Sequence, residues 1–192
     1  MLSHFSLSAL ALALALAGIT AALPAQTLDE RGISDRYVSY TGNGGNWPSK
    51  NAWGDYGALW NANVPIMQIE SNGCVRVPTT NNGVRNPGLM QSHNGSGSCA
   101  GVNPCPAGTI TQMIRDGVAG TSSGDGLRQT LARTKDVVGD NSRAVYAAAR
   151  MYNSGSVDYN NLNNGLGSTP CYASDVANRL TGWTLAPRQC RA

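Results

Sequence analysis

The chain has 192 residues, 41% of them hydrophobic and 13% charged, with a formal net charge of +3. This balance excludes a disordered polyelectrolyte, and the scattered placement of Lys and Arg gives nucleic acid no basic stripe or patch to bind. No internal repeat marks a solenoid, and the residues beyond the N-terminal stretch suffice for one hydrophobic core.

An apolar run from Phe5 to Leu16, followed by the small residues Thr20 and Ala22, has the pattern of a secretory leader over residues 1–22. The run is short for a bilayer-spanning helix, which needs ~20 apolar residues. A secreted, extracellular protein is therefore expected, with no membrane attachment after cleavage. Residues 23–46 are polar and Gly-rich, least structured over Thr41–Asn46, and read as a propeptide or loose N-terminal arm. Residues 47–192 are expected to form a single domain, and a monomer is expected.

Aromatic residues appear abruptly at Trp47, Trp53, Tyr56 and Trp60, either as core anchors for a first helix or as a sugar-stacking platform. Pro65 can open a short helix with Ile66 and Ile69 on one face, which places Glu70 near its C-terminal end. Helical spacing of Ile110, Met113, Ile114 and Val118 predicts a helix over Thr109–Val118, with Thr109 as a cap. Another follows Asp125 through Leu127, Leu131 and Val138. Beyond Gly139-Asp140-Asn141, Ser142 can cap a helix running through Val145, Ala148, Ala149 and Tyr152. Thr169-Pro170 opens a last helix carrying Tyr172, Val176 and Leu180, which Gly182 ends. Arg31–Tyr40 and Cys74–Thr80 are only weak strand candidates, so the fold class is mainly α, with long loops.

Five cysteines in a chain bound for an oxidising compartment imply disulfides. Cys99 and Cys105 lie close enough to staple a loop, and Cys171 with Cys190 would tie the tail to the body, leaving Cys74 unpaired; sequence does not fix the connectivity.

Glu70 is the only glutamate after the N-terminal arm, which holds Glu30. Directly after Ile66-Met67-Gln68-Ile69 it is either a solvent-facing residue at a helix end or a partly buried acid. Burial would raise its pKa and suit it to protonating a leaving oxygen. Asp116 and Asp125 are candidate second carboxylates, although neither has a context that lifts it above a solvated surface aspartate.

Glu70-Ser71, then Gly88-Leu89-Met90-Gln91, then Tyr152-Asn153-Ser154-Gly155, then Tyr172 together resemble, in order and separation, the motifs of soluble lytic transglycosylase domains of glycoside hydrolase family 23. The resemblance spans roughly Trp53 to Trp183. It implies a lysozyme-like fold and cleavage of β-1,4 bonds in a 2-acetamido-sugar polymer, peptidoglycan before chitin. It implies Glu70 as the catalytic acid, with Ser71 beside it and Gln91, Tyr152, Asn153 and Tyr172 as substrate-binding or cleft residues. Asn153 would be a partner for an N-acetyl group or for Glu70, and Leu89 and Met90 would pack beneath the cleft. Two departures stand out: the stretch between Glu70 and Gly88 is a few residues longer than usual, and Arg150-Met151 replaces the small residues often found before Tyr-Asn.

Rival readings are a chitinase-type hydrolase on the same fold, a non-catalytic cell-wall glycan-binding protein, and a cysteine peptidase using Cys74 and His93. A serine hydrolase would also need His93 as its base, the single histidine after the leader. No His pair, zinc-type Cys pair or Asp-rich calcium loop occurs, so no metal and no cofactor are expected. Asn94-Gly95-Ser96 is a glycosylation sequon just past Gln91.

Overall fold

The computed structural model describes residues 35–55, 57, 59 and 64–191. The leader, Glu30, Tyr56 and Trp60 lie outside the described residues, as does Arg31–Ser34 of one strand candidate.

A 3₁₀ turn at Lys50–Ala52 precedes α1 (Pro65–Ser71). A two-stranded antiparallel hairpin follows, β1 (Thr80–Asn81) and β2 (Arg85–Asn86), in the register Thr80↔Asn86 and Asn81↔Arg85. Then come α2 (Ala107–Ala119), α3 (Leu127–Val138), α4 (Ser142–Ser154) and α5 (Tyr172–Leu180). The described chain is thus mainly helical, with α4 packed between α3 and α5, α1 on α5 and α2 on α3.

Helix starts differ from the sequence expectation by a residue or more. Asn141, not Ser142, caps α4, its Oδ1 accepting from Ala144 N at 3.2 Å. The α2 helix begins two residues before Thr109, because Pro106 supplies the extended backbone and the first carbonyl acceptor. In α5 the N-cap is Cys171, in left-handed conformation, so Tyr172 opens the helix. The candidate strand Cys74–Thr80 is largely turns and loop, with only Thr80 in a strand.

Small side chains decide how closely the central helices approach. Ala147 of α4 and Ala173 and Ala177 of α5 join Trp47, Tyr146 and Leu162 in one buried cluster. Trp53 packs on that cluster and donates Nε1–H to the Tyr146 hydroxyl at 2.8 Å. Trp47 and Trp53 are therefore core anchors. A second cluster, Leu89, Met90, Cys99 and Met113, joins the turn after β2 to α2. A third, Ala149, Tyr172 and Val176, receives Ile66 and Ile69 of α1.

The segment read as a loose arm is docked wherever it is described. Tyr37 is buried, stacks edge-on against Trp183 and donates to Asp175 Oδ1 at 2.6 Å. Asn178 holds the Val38 backbone through both N–H and C=O, and Asp35 accepts from the amides of Thr184, Leu185 and Ala186. The arm reads as polar because these anchors are hydrogen bonds to α5 and the tail, which an apolar pattern does not reveal. Two disulfides are present, Cys99–Cys105 and Cys171–Cys190, and Cys74 is free and exposed.

Candidate active site

The site begins with the brevity of α1. Pro65 occupies its first turn, where a missing N–H costs nothing, and Asn72 and Gly73 end it in left-handed conformation. Asn72 N–H donates to Gln68 O and Gly73 N–H to Met67 O, which closes the helix. Ile66 and Ile69 bury against α4 and α5, so the residue that follows them is drawn towards Tyr172.

Glu70 is half-buried there, and the Tyr172 hydroxyl donates to its Oε1 at 2.6 Å. Burial pushes the Glu70 carboxyl up to about 7, against the opposing pull of the Tyr172 hydrogen bond. The last turn of a helix also presents the negative end of its dipole to a carboxylate, which acts in the same sense as burial. Tyr172 itself is fully buried, and its phenol is held well above its ordinary pKa by that burial and by the neighbouring Glu70 charge. It therefore stays a donor.

Tyr152 approaches from α4. Its pKa is raised by burial, and the charges of Glu70 and Asp116 also act upon it. Its hydroxyl donates to Met90 O at 2.8 Å and lies 3.4 Å from Ser92 Oγ. Tyr152 thus pins the Gly88–Gln91 turn to α4. Gly88, at φ 75°, is required in that turn: a Cβ there would lie 2.6 Å from Gly97 O and 2.7 Å from Met113 Cγ. Leu89 and Met90 are buried beneath the turn.

Three other residues expected at the site have intramolecular partners. Ser71 is buried and its hydroxyl donates back to Met67 O at 2.9 Å, so it sits beside Glu70 in sequence while facing its own helix. Gln91 accepts from Thr80 Oγ1 at 2.8 Å and donates to Gly88 O at 3.0 Å, which ties the turn to β1. Asn153 Oδ1 accepts from Arg150 Nη2 and from Thr169 N–H. None of its hydrogen bonds among the described residues reaches Glu70.

Asp116 is neither a surface aspartate nor a free base. It is buried, and its carboxylate accepts from Ser96 N–H at 2.7 Å, Gly97 N–H at 2.8 Å and Gln112 Nε2 at 2.6 Å, which anchors the loop after the hairpin to α2. It lies one turn beyond Met113 and next to Gly117, on the buried face of α2. That helical spacing was the available signal for its burial. Asp125 pairs with Arg133 at 2.9 Å. Cys74 and His93 are both exposed, and no hydrogen bond among the described residues joins them.

Sequence reasoning missed Ser92 and gave Arg150 no role beyond a departure from the motif pattern. Among the described residues no group of three or more His, Cys, Asp or Glu could hold a metal ion, and no helix is long and apolar enough to cross a membrane. An apolar groove of about 350 Å³, lined by Ile66, Met67, Ile114, Leu131 and Val145 among others, does not include Glu70 and offers a sugar no polar group. The chemistry available is that of one carboxyl protonated near neutral pH, with a phenol fixed on one of its oxygens. No protein-family model, curated protein or solved structure matches the chain.

Proposed function

We propose that the protein is a secreted glycosidase of lysozyme-like fold that cleaves β-1,4 bonds in a 2-acetamido-sugar polymer, peptidoglycan foremost, with Glu70 as both acid and base. The observation that carries this reading is the pairing of Glu70 with Tyr172. A half-buried carboxyl pushed up to about 7 is a proton donor at neutral pH, and the phenol is fixed on its Oε1. The leader pattern and the two disulfides support secretion.

In this reading Glu70 transfers its proton to the glycosidic oxygen as the C1–O bond breaks, and the 2-acetamido oxygen supports the positive charge developing at C1. The Tyr172 hydroxyl then stabilises the new Glu70 carboxylate. That carboxylate accepts the proton of the incoming nucleophile as its oxygen bonds to C1. When the nucleophile is the sugar's own 6-hydroxyl, the product is the 1,6-anhydro sugar of a lytic transglycosylase; when it is water, the product is a reducing end.

An inverting hydrolase would use a second carboxylate ~6.5–9.5 Å away as base. Asp116 already accepts three backbone or side-chain N–H donors and Asp125 is paired with Arg133, which favours the one-carboxylate route. Gln91, Tyr152 and Asn153 then serve chiefly to shape the cleft, Tyr152 by fixing the Gly88–Gln91 turn. Mass spectrometry of products after incubation with bacterial peptidoglycan and, separately, with chitin oligosaccharides tests the reading. Anhydro-muropeptides are expected; release of no product from either polymer overturns it in favour of a glycan-binding protein.

A further inference from the structure

Arg150 of α4 is completely buried, yet no carboxylate among the described residues is paired with it. A cation in that position is costly, because removing a guanidinium from water is repaid only by good partners. Its partners are two oxygens and a ring. Nη1 donates to Thr169 O at 2.7 Å, Nη2 donates to Asn153 Oδ1, and the guanidinium carbon stands 5.7 Å from the centroid of the Tyr172 ring. Nε is buried without a partner. Thr169 N–H also donates to Asn153 Oδ1, so Arg150, Asn153 and Thr169 form a closed triangle three residues before Tyr172.

A methionine or leucine would fill this site without the desolvation cost. What they would lack is a positive charge over the face of the ring whose hydroxyl touches Glu70. A cation at the ring face is attracted to the π system and makes the phenol a stronger hydrogen-bond donor. We propose that Arg150 is a positioning residue that holds the Tyr172 hydroxyl on Glu70, so that the same carboxyl can act first as acid and then as base. This inference deepens the proposed function and rests on Glu70 being the reacting group.

Among the described residues, the charged and titratable groups around Glu70 are few. Tyr172 faces it from α5, Tyr152 and Arg150 stand on α4, Asp116 on α2 acts on Tyr152, and α1 carries no other titratable side chain. Burial lowers the Arg150 pKa, and the guanidinium in turn draws the Tyr172 phenol downward against burial. The second of these directions is that of a cation acting on the phenol.

The chain holds two glutamates, so Glu labelled with ¹³C at Cδ gives a two-signal spectrum in which Glu70→Gln assigns Glu70. In Arg150→Met, the midpoint of the Glu70 titration is expected to rise by about one pH unit, and Arg150→Lys should return it most of the way. In a Tyr172→Phe background, Arg150→Met should add no further shift, because the path runs through the phenol. With substrate, kcat should fall about tenfold while KM changes little, since Arg150 does not reach the sugar. A folded Arg150→Met protein with an unchanged Glu70 midpoint overturns the proposal, whatever its activity. Should Arg150→Met not fold, Arg150→Gln, which keeps a donor for Thr169 O without the charge, carries the same expectation and the same overturning result. The titration needs no turnover, so a wild-type protein that releases no product, while its Glu70 midpoint responds to Arg150, refutes the glycosidase reading and not the link.

Discussion

The hydroxyl of Tyr172, at the first residue of α5, donates to Oε1 of Glu70, 102 positions earlier in the chain, at 2.6 Å. Two helices meet at this bond, and the acidity of the site depends on it. Removing the donor without changing shape is therefore informative. In Tyr172→Phe the Glu70 carboxylate loses the Tyr172 hydrogen bond, which opposes burial, so its pKa should rise above about 7. The high-pH limb of kcat should move up by about one unit and kcat at neutral pH should fall ~10-fold, as read from pH–rate profiles on a soluble chitin or muropeptide substrate.

Glu70→Gln keeps the side-chain shape and removes the proton donor. Turnover is expected to fall by about 10²–10⁴, the usual worth of a positioned general acid, while the circular dichroism spectrum and glycan binding stay near those of the wild type. Undiminished turnover in the folded variant would remove Glu70 from the chemistry.

The raised pKa also has a consequence for stability. A carboxyl at about 7 in the folded chain and 4.5 when free binds its proton more tightly when folded. Its favourable contribution is complete below about pH 4.5 and is lost as pH rises towards about 7, a difference of about 3 kcal/mol. Denaturant titrations of wild type and Glu70→Gln should therefore diverge across that window, with Glu70→Gln gaining relative stability as pH rises and the difference levelling off above it. Turnover by the wild type should fall over the upper part of the same range, as the donor loses its proton.

Asp116→Asn separates anchoring from catalysis. The loop amides of Ser96 and Gly97 and the side chain of Gln112 lose a charged acceptor, so the unfolding free energy should drop by about 1–3 kcal/mol. Turnover per folded molecule should stay within about threefold of wild type; a fall of about 10³ or more would make Asp116 the missing base.

Cys171–Cys190 closes a span of 19 residues and keeps the tail, with Arg188 on Asp175, against α5. Replacing both cysteines by serine should lower stability by about 2–4 kcal/mol in denaturant titrations. Loss of the Tyr37–Trp183 contact in the same variant would appear as a change in tryptophan fluorescence.

What the sequence determined by itself was local. Pro65 and the Ile66–Ile69 spacing define a short helix with Glu70 near its C-terminal end, and apolar spacing places α2, α3 and α4 within a residue or two. Short separations made the Cys99–Cys105 and Cys171–Cys190 pairings readable as neighbours. These features depend on backbone dihedrals and helical periodicity, which act over a few residues. Only the tertiary structure decided which long-range partners each polar group found. It turned Ser71 into its own helix, took Asn153 into the Arg150–Thr169 triangle, tied Gln91 to Thr80, buried Asp116 under a loop and docked Tyr37 on Asp175. A polar side chain bonds to whatever the packed helices bring within about 3 Å, and that is settled by chain topology and by the requirement that buried donors and acceptors be satisfied, neither of which leaves a periodic trace in the sequence.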